Sequence, residues 1–139
     1  DKAPIDAFST IANEHPIITV TYRYNDMDKL AFDILHELCH IDRHLTKDQT
    51  AFISVDDGSY TNDPREKEAN EFARQILIPD NTWNEIMNIG SKSLSPYRIV
   101  KTIAQAAESR GISPSIAVAR YKHDTNWYNT SSYRSPKIF

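Results

Sequence analysis

The densest run of β-branched and aromatic residues is Ile17 followed by the ITVTYRY segment, entered through Pro16. This pattern predicts a strand over 17–24. Asn25-Asp26-Met27-Asp28 closes the run and supplies helix N-cap residues. Leu30, Ala31, Ile34, Leu35, Leu38 and Ile41 then recur at three- and four-residue spacing, which predicts a helix over 26–45. Ala51-Phe52-Ile53 followed by Asp56-Asp57-Gly58 reads as a short strand and turn, or as a loop. Asp63-Pro64-Arg65-Glu66 combines a cap, a first-turn proline and a third-position glutamate, so a second helix starts there and runs to the stop at Pro79. Thr82-Trp83-Asn84-Glu85 has capping-box form and opens a short helix that Gly90 ends. Ser95-Pro96 and Ser113-Pro114 each start one more helix, the first ending near Arg110-Gly111 and the second near His123. The last dozen residues have no periodicity. A strand-bearing N-terminal part followed by four or five helices is an α+β pattern, and no internal repeat interrupts it.

Composition narrows the function classes. With 139 residues, 40% of them hydrophobic and 25% charged, the chain has enough apolar material for one core, so a single domain over 1–139 is expected. The chain opens at Asp1 and is expected to be a piece of a longer protein. A formal charge of -3 argues against direct nucleic-acid binding by this domain. Apolar runs of a few residues cannot cross a membrane. The single cysteine, Cys39, excludes an intrachain disulfide and fits the reducing cytoplasm. Glycine is scarce, at 3 residues, and the Gly-rich phosphate loops are missing.

The segment that carries chemistry is His36-Glu37-Leu38-Cys39-His40, an HExxH motif inside the first predicted helix. Residues four apart stack along a helix, so both imidazoles can reach one ion. Glu37, one residue on, projects beside that ion, where it can accept a proton from the attacking water. A catalytic zinc site needs three protein ligands and an open position. His44 continues the spacing, but lies about 12 Å along the axis from His36 by helical rise, too far to share the ion, and is expected to end the helix or to support the ligands from behind. The second helix offers Glu66, Glu68 and Glu71. On a wheel, Ala69, Phe72, Ala73, Ile76 and Leu77 define its buried face. Glu66 falls within about 50° of the centre of that face and Glu68 about 110° away. Glu66 ranks first and Glu68 second, although Glu66 is also the glutamate of the capping box of Asp63.

Together these segments resemble the ImmA/IrrE metallopeptidase family. The resemblance rests on Pro16-Ile17-Ile18 through Thr21-Tyr22-Arg23-Tyr24, on Phe32-Asp33-Ile34-Leu35 leading into the HExxH, on Glu66-Lys67-Glu68-Ala69-Asn70-Glu71-Phe72-Ala73 with Ile76-Leu77-Ile78-Pro79, and on Gly111-Ile112-Ser113-Pro114-Ser115-Ile116-Ala117-Val118-Ala119-Arg120. It implies a zincin-like fold with the strand beside the active-site helix. It also implies one zinc ion held by His36, His40 and Glu66. The regulator it implies is bacterial or phage-borne and cytoplasmic, acting on a repressor or antitoxin partner. Relatives often follow a helix-turn-helix domain, as in HigA-type antitoxins, and such a domain would lie outside this segment. Cys39 departs from the glycine or alanine common at that position. Its small thiol is expected to pack; an extra soft-ligand role is disfavoured because it points about 100° from His40.

The expected reaction is hydrolysis of a peptide bond, with Glu37 as the general base. The alternative is a catalytically silent metal-binding sensor that controls a transcriptional regulator or a toxin-antitoxin protein. The predicted first strand is a candidate for substrate strand addition. Tyr22, Tyr24, Tyr121 and His123 are candidates for a second oxyanion donor. Trp83 and Trp127 read as packing residues, and His15 as a solvated side chain.

Overall fold

The first element is a strand that the hydrophobic pattern did not announce. Asp, Ser, Thr and Ala dilute IDAFSTIA, yet it forms β1 (Ile5–Ala12) and pairs antiparallel with β2 (His15–Val20). The two-residue turn between them, Asn13-Glu14, has positive φ at both positions, 51° and 65°. This is the backbone of a type I′ hairpin, whose twist matches its flanking strands. The computed structural model describes residues 5–21, 23, 25–55, 63–92, 95–128 and 133–139. The predicted strand over 17–24 is therefore a hairpin partner that ends at Val20, and Tyr22 and Tyr24 lie outside the described residues.

β3 (Ala51–Val55) pairs with the other edge of β1, giving an antiparallel sheet of order β2-β1-β3. The β1–β3 register shifts between Ile5 and Ala7. This irregularity lets the neighbours Asp6 and Ala7 both be buried, where regular alternation would send one of them outward.

Helix α1 (Met27–Cys39) is capped by Asp26, whose carboxylate accepts the Lys29 N–H at 2.9 Å. Lys29 ties α1 to β1: its Nζ lies 3.1 Å from Asp33 and 3.5 Å from the buried Asp6. Burial pushes the Asp33 carboxyl above its ordinary value, although the Lys29 charge opposes the shift. After Cys39 the helix widens into a π turn, His40–His44, closed by the Leu45 N–H on the His40 carbonyl at 2.8 Å. The apolar stripe that predicted α1 is not its most buried face. Ile34 and Leu38 are exposed, while His36, Glu37, Cys39 and His40 are buried.

Helix α2 (Pro64–Leu77) carries Ala69 and Ala73 on its buried side. Contacts divide the chain into two units, Asp1–Ile76 with Lys137–Phe139, and Leu77–Pro136. In the first unit Asn25 holds the terminal segment, accepting from the Ile138 N–H at 2.7 Å and the Phe139 N–H at 3.1 Å.

The second unit packs α3 (Asp80–Gly90), α4 (Pro96–Glu108) and α5 (Pro114–Thr125) around Ile78, Trp83, Ile86, Ile103 and Val118. Trp127 packs against this core and meets the Tyr121 ring edge-on. Arg120 joins the start of α3 to α5. Its guanidinium donates to the Ile78 carbonyl at 2.6 Å and to Asp80 at 2.7 Å, and lies over the Trp83 ring. The start of α3 corrects the expected Thr82 capping box: the helix begins at Asp80, with Pro79 as N-cap and no side-chain cap bond. Proline sets the entry φ without needing an N–H. The architecture is α+β, with a three-stranded antiparallel sheet and five α-helices among the described residues.

Gly90 is the last residue of α3 but not a left-handed cap; among the described glycines only Gly111 has positive φ, 72°. Gly90 is there for space, since a Cβ would stand 2.9 Å from Cγ1 of Ile103. Ile103 is fully buried and cannot swing away. Gly90→Ala gains about 1 kcal/mol of helix propensity but overpacks the core at about 1–3 kcal/mol. A net destabilisation of about 1 kcal/mol is expected in urea unfolding.

Candidate metal centre

The metal-binding geometry is assembled from two helices. His36 lies in the last turn of α1 and His40 opens the π turn, so the imidazoles stack four residues apart. Their Nε2 atoms are 3.0 Å apart. Glu66, in the first turn of α2, brings a carboxylate across them. Oε2 is 3.1 Å from His36 Nε2, and Oε1 is 3.4 Å from His40 Nε2. Taking one ligand atom from each residue, all three lie within 4.8 Å of one another. A tetrahedral ion with nitrogen ligands at 2.0–2.1 Å separates its ligand atoms by about 3.3 Å. The observed separations bracket that value, and the imidazole and carboxylate donors are those zinc accepts. The residues fit a divalent ion.

Each imidazole is oriented from behind. His36 Nδ1 faces the Asn70 Oδ1 at 2.8 Å, and His40 Nδ1 faces His44 Nδ1 at 2.8 Å. Protons on both Nδ1 atoms leave both Nε2 lone pairs directed at the shared space. Phe52 of β3 fixes the His40 ring by stacking, with centroids 3.7 Å apart and planes at 14°. The Arg65 guanidinium also lies over Phe52, 4.8 Å from its centroid. Phe52 therefore carries the sheet to the site.

Glu37 is 0% exposed, enclosed beside His36, and its charge helps to raise the His36 pKa. Glu68, the second-ranked ligand, points elsewhere. It pairs with Arg43 at 2.7 Å and with His44 Nε2 at 3.0 Å, and its side chain is 45% exposed. Asp63, the expected partner of Glu66 in a capping box, accepts from the Arg65 N–H at 2.9 Å. Cys39 is fully buried and packs as expected; burial raises its thiol pKa. Tyr121 is packed in the core of the second unit. His123 is exposed beside Asp124. Asn70 and Phe52 were missed in the sequence. Asn70 had a signal, because it lies four residues after Glu66 on the same helical face. Phe52 had none, because its role depends on how β3 pairs.

The protonation states are coupled. Burial opposes charge on Glu66, but hydrogen bonds and charges from His36 and His40 win and hold its carboxyl at about 2. Burial likewise opposes protonation of His36, yet Glu66, Glu37 and Asn70 raise its pKa. Without metal, the depressed Glu66 contributes stability above its ordinary 4.5 and loses it as pH falls towards about 2. The raised His36 contributes stability below its ordinary 6.5 and loses it as pH rises through its shifted value. The metal-free pair is therefore most stabilising between those ordinary values. Binding an ion expels the His36 proton, so metal affinity should rise with pH through the His36 titration. Thermal melts across pH, with and without zinc, check both slopes. A zinc-induced shift that grows as pH falls would contradict them.

The IrrE N-terminal-like domain family, Peptidase_M78, matches residues 2–122. The chain belongs to this family. Among curated proteins and among solved structures none matches significantly. Membership of a metallopeptidase family agrees with the His36-Glu37-x-x-His40 and Glu66 cluster. No helix among the described residues is long and apolar enough to cross a membrane.

Proposed function

We propose that this IrrE-like domain is a zinc-dependent peptidase that cuts a peptide bond in a regulatory protein, a repressor or an antitoxin partner, in the cytoplasm. The observation that supports this reading most is the convergence of His36, His40 and Glu66 beside the intact acid Glu37. Bound zinc would supply Lewis-acid polarisation of the scissile carbonyl and acidify water at neutral pH. Asn70 and His44 orient the two imidazoles. Glu37 takes the proton of the attacking water and passes it to the leaving nitrogen. Recognition of the partner is by protein contacts, and nucleic acid is not bound by this domain.

A second reading is favoured by one observation, the complete enclosure of Glu37. A site closed around its base suits a metal-binding sensor that does not turn over. To separate the two, the zinc-loaded protein is mixed with repressors or antitoxins encoded beside its gene, and new termini are read by mass spectrometry. Cleavage that a chelator stops supports the peptidase. Intact partners that nonetheless bind only the zinc-loaded form support the sensor.

A further inference from the structure

We infer that His44, locked by Glu68, is a positioning residue that fixes His40 in the tautomer able to ligate metal. This rests on the metal-centre reading above. For His40 Nε2 to offer its lone pair, the His40 proton must sit on Nδ1. His40 is fully buried, so that N–H needs a protein acceptor, and the atom facing it at 2.8 Å is His44 Nδ1. His44 Nδ1 accepts only if its own proton is on Nε2. There Glu68 Oε2 waits at 3.0 Å, while the other Glu68 oxygen is tied to Arg43 at 2.7 Å. The position of each proton is thus set by the next group outward, ending on a surface carboxylate.

The two ligands are held differently. An Asn70 amide oxygen receives His36, and an oxygen can only accept. An imidazole behind His40 can present either a donor or an acceptor, so a further group must choose for it. With the His44 proton on Nδ1, His40 would be driven to carry its proton on Nε2, in the space the ion needs. The π turn brings the two rings together, with centroids 4.9 Å apart, and the His44 side chain is 6% exposed, which leaves water little access as a substitute acceptor.

The test uses the whole chain and zinc alone, with affinity read by chelator competition and geometry by the visible bands of the cobalt-substituted protein. His44→Phe keeps a flat ring without an acceptor. Its zinc affinity should fall by about 10–100-fold, the usual effect of removing an outer-shell partner. Glu68→Ala should fall by about tenfold, at the low end of that range. His44→Asn places an oxygen where Nδ1 stood. It should recover affinity to within about threefold of wild type and restore the cobalt bands, which simple loss of ring packing would not allow.

Wild-type zinc affinity in His44→Phe and Glu68→Ala would overturn the inference, as would His44→Asn binding no better than His44→Phe. If His44→Phe does not fold, the exposed Glu68→Ala and the polar His44→Asn decide alone. Failure of the wild type itself to bind zinc would overturn the metal reading and this inference together. Tight wild-type binding with indifferent variants would overturn only this one.

Discussion

Glu66→Ala is expected to lower zinc affinity by more than about a hundredfold, beyond the 10–100-fold range typical of outer-shell partners. The carboxylate is one of the three clustered groups that could hold an ion, and its oxygens reach both imidazoles, at 3.1 and 3.4 Å. Without it, two nitrogens 3.0 Å apart remain with no anion to balance a dication. The same substitution removes the main influence that raises His36, so the His36 pKa should fall as burial dominates. Zinc competition and imidazole NMR titration read the two effects separately. Glu68→Ala is the control on the neighbouring carboxylate and should cost far less. If the order were reversed, with Glu68→Ala losing the ion and Glu66→Ala keeping it, the ligand set would be wrong.

Glu37→Gln is expected to cut peptide hydrolysis by about 10²–10⁴-fold, the range for removing a general base, while zinc binding stays within about threefold, because Glu37 is not among the clustered donors. The replacement has the same shape, and a neutral amide is cheaper to enclose than a carboxylate, so no loss of folding is expected. Removing the Glu37 charge also takes away one influence that raises His36, so the His36 titration of the metal-free protein should move to lower pH. Turnover, zinc content and, after chelation, the His36 titration can be measured on one preparation. Equal hydrolysis by both proteins would remove Glu37 from the chemistry and favour the sensor reading.

What the chain disclosed in advance depended on how local the determining physics was. α4 and α5 open with a serine and a proline, features that act within one turn, and they appear where those residues stand. β1 was hidden because its apolar residues do not alternate regularly and its turn, Asn13-Glu14, has no glycine; the strand exists through its pairing on both edges. The Thr82 motif puts the start of α3 three residues late, because it is only a local preference and Pro79 already sets the entry. Glu66 could be ranked above Glu68 from the wheel, because the alanines beneath it, Ala69 and Ala73, are indeed the buried side of α2. The supports around the histidines were less accessible. Asn70 lay on the right face unnoticed, whereas Phe52 over His40 and Glu68 on His44 join segments far apart in the chain, which no local pattern encodes.

The most direct measurement is anomalous scattering from crystals grown with zinc, recorded on both sides of the zinc absorption edge. The ligand set of His36, His40 and Glu66 predicts a single strong peak about 2.0–2.2 Å from His36 Nε2, His40 Nε2 and a Glu66 oxygen. A peak held instead by His44 and Glu68, or no peak near α1 from protein that had bound zinc in solution, would contradict it.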